Sequence, residues 1–200
     1  QLHRRQRQMC IRDRSYDEKN DKLYFLASPD APTERYLYYV SILQNDKLNR
    51  ATPETLEGYH NYEISPKSKY AFHTFSNYYT RPFRSIVSLP NHSFIGETKK
   101  LSEITSTLQK ESHPLEFFRI TTVEQISMDG WIVKPTDFDP TKKYPVLFYF
   151  YSEPARQTAL NRFGAGYNPL YDGNLQDDGY VYVTFDGRGT PSPKLSLIHI

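Results

Sequence analysis

The sequence predicts an antiparallel β-sheet segment followed by an α/β segment. In the first half, runs rich in Tyr, Phe, Leu and Val recur about every ten to fifteen residues, separated by turn-forming Pro, Asn and Asp. In the second half, two longer apolar runs, 146–151 and 180–186, are typical of strands buried on both faces of a mostly parallel sheet. The aromatic share of 15% also favours sheet.

The first half predicts a meander of short strands. KLYFLAS (22–28) and RYLYYVSI (35–42) flank the turn-forming PDAPTE, which indicates a hairpin. Further strands are predicted in GYHNYEIS (58–65), KYAFHTFSN (69–77) and RSIVSLP (84–90). This spacing of strands and turns is typical of the blades of a β-propeller.

The second half has a different pattern of apolar residues. LSEITSTLQKE (101–111) has apolar residues at helical spacing and is expected to link the two segments. MDG (128–130) predicts a hairpin turn between two strands. VLFYFY (146–151) and YVYVTFD (180–186) then provide two core strands, and the long connection between them indicates the crossover of an α/β unit.

The two ends of the chain are expected to be translated sequencing adapter. MCIRDR can be written as the codons ATG TGT ATA AGA GAC AGN, and LSLIHI as CTG TCT CTT ATA CAC ATC. The second string is the reverse complement of most of the first, and both resemble the transposon end used in sequencing libraries. Residues 1–14 and 195–200 are therefore assigned to adapter; a genuine basic arm and a genuine apolar tail are the alternative.

Setting these ends aside changes what the composition implies. The chain has 25 basic and 23 acidic residues; residues 1–14 hold five Arg and one Asp, so 15–194 keep 20 basic and 22 acidic residues and a formal charge of −2. This weak charge indicates no nucleic-acid partner. Cys10 lies in the adapter, so cysteine usage indicates no compartment. No apolar run reaches the roughly eighteen residues of a membrane-spanning helix.

Two strings carry a family resemblance: KYPVLFYFYSEPARQT (143–158) and GYVYVTFDGRGTPSPK (179–194). They resemble the dipeptidyl peptidase IV branch of the prolyl oligopeptidase clan. The stretch 62–89 likewise resembles a late propeller blade of that family. The resemblance implies the C-terminal part of a β-propeller over 15–100, a linker over 101–115, and the N-terminal part of an α/β-hydrolase domain over 116–194.

The resemblance implies a serine peptidase that releases dipeptides from peptide N-termini, often after Pro or Ala, without a cofactor. Its Ser would be activated by a His that an Asp orients. The G-x-S-x-G motif that carries such a Ser does not occur in this sequence. The family places all three residues beyond the DGRG loop, so the chain by itself is expected to be inactive. A homodimer and a periplasmic or cell-surface location are compatible with the family.

Tyr151 is the candidate catalytic residue. It matches a family tyrosine that donates its hydroxyl to the oxyanion, and a phenol at the carboxyl end of a core strand can point into a catalytic crevice. The alternative is one more packed aromatic. Glu153 is expected to shape the loop rather than to contact substrate. Asp186 and Arg188 are expected to hold the loop after their strand rather than to act in catalysis.

The histidines of the natural part are not expected to include the catalytic base. They are His60, His73, His92 and His113, and His73 is predicted to be packed in its strand. The sequence has no ligand spacing typical of a metal site. Two alternatives for the whole protein stay open. One is a related hydrolase of the clan, such as an oligopeptidase or acylaminoacyl peptidase, and the other is a family member without its nucleophile that serves as a binding or scaffold protein.

Overall fold

The computed structural model describes residues 14–43, 47–96, 115–151, 156–168 and 170–187, and these ranges form twelve β-strands in three four-stranded sheets. The strands are β1 (Arg14–Asp17), β2 (Lys22–Ala27), β3 (Tyr36–Val40), β4 (Asn49–Arg50), β5 (Tyr59–Ile64), β6 (Tyr70–Ser76), β7 (Phe83–Ser88), β8 (Ser93–Ile95), β9 (Leu115–Thr121), β10 (Ser127–Val133), β11 (Val146–Tyr149) and β12 (Val181–Phe185).

The first two sheets are antiparallel meanders in which each strand pairs with the next along the chain. Their orders are β1-β2-β3-β4 and β5-β6-β7-β8. The predicted hairpin is confirmed, since β2 pairs with β3 across the turn that contains PDAPTE. The strands predicted over 58–65, 69–77 and 84–90 are confirmed as β5, β6 and β7. Four-stranded antiparallel sheets of this kind are the units of a β-propeller.

The first two sheets share one hydrophobic core. Tyr24 and Leu37 of the first sheet pack in one cluster with Tyr62, Ala71 and Val87 of the second. β5, β6 and β7 bury alternate residues, because successive side chains of a strand point to opposite faces. In β6 the residues Ala71, His73 and Phe75 are buried; Tyr70 and Phe72 on the other face are half exposed. The sheets therefore pack through one face of each.

The third sheet is mixed, with the order β11-β12-β10-β9. β11 and β12 are parallel, as predicted for the two core strands, and the other neighbours are antiparallel. The described part of the connection between β11 and β12 contains turns and no helix. No helix long and apolar enough to cross a membrane occurs in the described ranges. The helix predicted over 101–111 lies outside the described residues.

The hairpin turn predicted at MDG is wrong. Residues 128–130 lie inside β10, and the turn between β9 and β10 instead runs through Gln125, whose φ is 61°. Gly130 serves another purpose. A Cβ at this position would lie 2.5 Å from the carbonyl oxygen of Thr184 and 2.5 Å from the ring of Phe118. The glycine therefore permits close packing within the sheet, where sequence reasoning assigned it to a turn.

Burial on both faces is confirmed for β12 and wrong for β11. Four of the five residues of β12 are buried, since this strand lies between two neighbours and against the core. On β11, Leu147 and Tyr149 pack against the core, but Val146 and Phe148 are 49% and 60% exposed. Within the described ranges nothing covers this second face. An apolar run shows that a strand can be buried, but it does not show which elements cover it.

Candidate functional site

Tyr151 lies two residues beyond the end of β11 and is half-buried. Because β11 and β12 are parallel, their carboxyl ends meet at one edge of the third sheet, and this edge is where open α/β sheets bind ligands. Asp186 follows β12 at the same edge. Glu153 and Arg188, the other residues singled out in the sequence, lie outside the described residues.

The strand that leads to Tyr151 is held by a side chain of β12. The hydroxyl of Thr184 donates a hydrogen bond to the carbonyl oxygen of Tyr149, at 2.5 Å. Thr184 is fully buried, and its Oγ1 also lies 3.2 Å from Oγ1 of Thr158. The backbone two residues before Tyr151 is therefore fixed to the neighbouring strand by a side chain as well as by the sheet.

The loop that follows Tyr151 is held by Asp186. One carboxylate oxygen accepts hydrogen bonds from the amide of Thr158 at 2.7 Å and from its hydroxyl at 2.8 Å. The other oxygen accepts a hydrogen bond from the amide of Ala159 at 3.2 Å. Burial raises the pKa of Asp186, while these hydrogen bonds favour its charged form. Sequence reasoning assigned Asp186 to the loop after its own strand, whereas in the structure it holds the loop after β11.

The same loop contacts the first two sheets through Asn161. The amide of Asn161 donates to the carbonyl of Thr33 at 2.7 Å, and its Nδ2 donates to Oε1 of Glu34 at 2.8 Å. Its Oδ1 accepts from the amide of Tyr78 at 3.0 Å. Nε2 of Gln157 adds a hydrogen bond to the carbonyl of Pro32 at 2.7 Å. The loop after Tyr151 therefore bridges the third sheet and the two antiparallel sheets.

A second buried polar group, the histidine cluster, lies in the first two sheets and comprises His60, His73, His92, Tyr62 and Thr52. Nε2 of His60 donates to the carbonyl of Leu56 at 3.0 Å, so its Nδ1 accepts from Nε2 of His73 at 2.8 Å. Nδ1 of His73 then accepts from the hydroxyl of Ser85, 3.2 Å away. Each ring nitrogen of His60 and His73 is thus either a donor or an acceptor, which fixes the tautomer of both rings.

The rest of the histidine cluster joins the two sheets. The hydroxyl of Tyr62 lies 2.8 Å from Nε2 of His92 and 2.9 Å from Oγ1 of Thr52. Oγ1 of Thr52 also accepts from the amide of Leu37 at 2.9 Å. Burial lowers the pKa of His60 to about 3, of His73 to about 2 and of His92 to about 4. All three are therefore neutral at neutral pH, and the packing predicted for His73 is confirmed.

Neither polar group forms a metal site. In the part of the chain that the structure describes, no three His, Cys, Asp or Glu side chains are arranged to hold a metal ion. Both ring nitrogens of His60 and His73, and Nε2 of His92, are instead hydrogen-bonded to one another or to hydroxyl and carbonyl groups. The cluster therefore serves as a structural element of the two sheets.

Sequence reasoning missed three residues of the Tyr151 region: Thr158, Asn161 and Thr184. A signal existed for Thr184, because residues two apart on a strand share a face, and Thr184 and Asp186 end a buried strand with polar side chains on one face. No comparable signal marks Thr158 or Asn161. Both lie in a loop, and the partners of their side chains are at least 26 residues away along the chain.

The family model described as the dipeptidyl peptidase IV (DPP IV) N-terminal region matches residues 10–82. The match starts inside the segment 1–14 that sequence reasoning assigned to adapter, and β1 begins at Arg14, the residue at the junction. The adapter assignment and the domain boundaries stay predictions.

Curated relatives are similar over most of the chain. A probable dipeptidyl-aminopeptidase B of Botryotinia fuckeliana is 32% identical over 179 residues, which are 87% of this chain and 19% of the relative. The corresponding protein of Aspergillus clavatus is 31% identical over 176 residues, with the same coverage. The chain spans about a fifth of the length of these relatives.

Among solved structures, the crystal structure of Porphyromonas gingivalis dipeptidyl peptidase 4 is similar in fold. Its TM-score is 0.71 at 24% sequence identity, over 89% of this chain and 24% of that one. The family model matches residues 10–82, and the curated relatives, which match 87% of the chain, are named for the same family that residues 143–158 and 179–194 resemble. These findings support a fragment of the dipeptidyl peptidase IV family.

Proposed function

We propose that the whole protein is a serine exopeptidase that releases dipeptides from peptide N-termini, often after Pro or Ala, and that this chain contributes late propeller blades and the first strands of its α/β-hydrolase domain. The curated relatives are named as dipeptidyl-aminopeptidases, which supports this activity. The similarity to the solved dipeptidyl peptidase 4 covers 89% of the chain, so it extends into the third sheet.

In this proposal Tyr151 supplies a hydroxyl to the oxyanion hole. The observation that carries the assignment is the parallel pairing of β11 and β12, which brings Tyr151 to the carboxyl edge of the third sheet. A donor at this edge acts by stabilising the negative charge that develops on the carbonyl oxygen of the scissile bond. The chain spans about a fifth of its relatives' length and has no G-x-S-x-G motif, so we expect the 200-residue chain alone not to hydrolyse peptides.

The substitution Tyr151→Phe in the full-length protein tests this role. The variant keeps the ring and loses the hydroxyl, so we expect acylation to slow by about a hundredfold or more, as for other oxyanion donors. The measurement is pre-steady-state release of p-nitroaniline from a dipeptidyl p-nitroanilide with Pro or Ala in the second position. The matched control is Tyr167→Phe, because Tyr167 is 73% exposed and undergoes the same chemical change. Wild-type acylation by a folded Tyr151→Phe variant would contradict the role.

The exopeptidase reaction is tested separately by the N-terminus of the substrate. A dipeptidyl peptidase should cleave peptides with a free amino terminus and leave the N-acetylated peptides uncut. Cleavage of the acetylated peptides would favour an acylaminoacyl peptidase, and cleavage in the middle of blocked peptides would favour an oligopeptidase. A full-length protein that folds and cleaves neither set would favour a binding or scaffold protein.

A further inference from the structure

Tyr151 lies between two backbone points that are both attached to the end of β12. On one side, two residues before it, the carbonyl of Tyr149 accepts a hydrogen bond from Thr184. On the other side, the backbone amides of Thr158 and Ala159 donate to Asp186. The chain is therefore attached to the end of β12 both before Tyr151, at Tyr149, and after it, at Thr158 and Ala159.

The two side chains that hold this segment form one unit, which we name the β12 clamp: Thr184 and Asp186. They are two residues apart at the end of an extended strand, so both project to the same face. Thr184 is fully buried and Asp186 is 8% exposed. β12 itself is paired on both sides, and the amide of Asp186 donates to the carbonyl of Asp129 at 2.9 Å. The clamp thus stands on an interior strand of the sheet.

The clamp is specific in its chemistry as well as in its position. The Asp186 carboxylate faces three donors from the loop, two amides and the Thr158 hydroxyl. A carboxylate can only accept, and its charge strengthens each of these hydrogen bonds. An amide side chain of the same shape brings two donor hydrogens to a place where acceptors are needed. The loop is therefore matched to an ionised Asp at position 186.

We propose that Thr184 and Asp186 are positioning residues for the hydroxyl of Tyr151, acting through the Tyr149 carbonyl and the Thr158–Ala159 backbone. This inference rests on the proposed oxyanion role of Tyr151. An oxyanion donor is effective only where it is held within about 0.5 Å of its working position. Loosening one end of the segment should therefore lower kcat, whereas substrate affinity, which other parts of the protein provide, should change little.

A double-mutant cycle in the full-length protein tests the inference. The variants are Asp186→Asn, Tyr151→Phe and the combination of the two. We expect Asp186→Asn to lower kcat about tenfold with little change in KM, since misplacement of a reacting group has effects of this order. If Asp186 acts through Tyr151, the double variant is no slower than Tyr151→Phe alone.

The other outcomes separate the two proposals. Equal activity of Tyr151→Phe and wild type would overturn the oxyanion role and the positioning role together. A slow Tyr151→Phe with a fully active Asp186→Asn would overturn the positioning role alone. Independent effects that multiply in the double variant would also overturn it, because Asp186 would then act on something other than Tyr151.

A matched control and a second pair of variants keep the test decisive even if Asp186→Asn does not fold. Asp139→Asn is the control, because Asp139 accepts from the amide of Thr141 at 2.9 Å and from its hydroxyl at 2.7 Å, in the same way but in another loop. This variant should keep wild-type kcat. If Asp186→Asn does not fold, Thr158→Val and Thr158→Ser replace it. Loss of kcat in the Val variant with recovery in the Ser variant supports the clamp, and equal activity of the two overturns it.

Discussion

The histidine cluster and the β12 clamp are both buried polar groups, but they connect different things. The histidine cluster joins strands to strands across the first two sheets, and its side chains are neutral. The β12 clamp joins a strand to a loop and uses a carboxylate. Buried hydrogen bonds stabilise the fold in the histidine cluster, and in our proposal those of the β12 clamp fix the position of a reactive side chain. Substitutions in the first should change stability, and those in the second should change the rate.

The largest expected effect concerns the pH dependence of stability. An unfolded chain protonates its histidines near pH 6.5, whereas burial keeps His60 and His73 neutral in the fold to about pH 3 and about pH 2. Protons therefore bind the unfolded state preferentially, and the free energy of unfolding falls as the pH drops from 6.5 towards 4. Each histidine contributes up to about 1.4 kcal/mol per pH unit in this window. Urea unfolding at a series of pH values measures how the free energy of unfolding changes with pH.

The variant His73→Gln shows whether this slope comes from the histidine cluster. Glutamine does not titrate, so the free energy of unfolding should fall less steeply between pH 6.5 and 4, by the contribution of one histidine. The Asp139→Asn variant should keep the wild-type slope in this window, because the hydrogen bonds from Thr141 hold the pKa of Asp139 below its usual value of 3.8. An unchanged slope in His73→Gln would assign the acid sensitivity to groups outside the cluster.

The next largest effect is expected from His73→Ala at neutral pH. The substitution leaves a cavity between the sheets and removes the partner of both His60 and Ser85, which should lower the free energy of unfolding by about 3 kcal/mol. Thr74→Ala is the control, because Thr74 is the next residue of β6 and points to the other face. Chemical denaturation compares the two. Similar losses in both variants would mean that the cluster contributes no more than an ordinary strand position.

The smallest effect is expected from Tyr62→Phe. This variant keeps the ring in the core and removes the hydroxyl that lies between His92 and Thr52, at an expected cost of about 1–2 kcal/mol. The matched control is Tyr70→Phe, since Tyr70 lies in the same sheet and is 50% exposed. The control should be within about 0.5 kcal/mol of wild type in the same denaturation experiment. Equal stability of the two variants would contradict a cooperative cluster.

Much of the fold follows from local patterns in the sequence. The runs at 22–28, 35–42, 58–65 and 69–77 are rich in aromatic and aliphatic residues and are bounded by turn-forming residues, so their strands are predictable. β4 and β8 have two and three residues, which is too short for a periodic signal. The turn assigned to MDG was wrong because the sequence does not distinguish a glycine required for close packing, such as Gly130, from a glycine required for a turn.

The candidate site was predictable to a smaller extent. Tyr151 came from its match to a family motif, and its place after a core strand agrees with the structure. The partners of Asp186 could not be predicted, because they depend on which loop residue the strand register brings within hydrogen-bonding distance. Thr158 precedes Asp186 by 28 residues. Nor could the sequence show that His60, His73 and His92 converge, since they lie on two strands and a turn.

Gly130 bears on how related segments can be found in other sequences. Its neighbours are the backbone oxygen of Thr184 and the ring of Phe118, and only the ring can move aside. The requirement for glycine therefore comes from the chain across the sheet and not from the conformation of Gly130 itself. Aromatic residues around it can exchange for one another at modest cost. In a search profile for this segment, the glycine of MDG would thus carry more information than the aromatic residues around it.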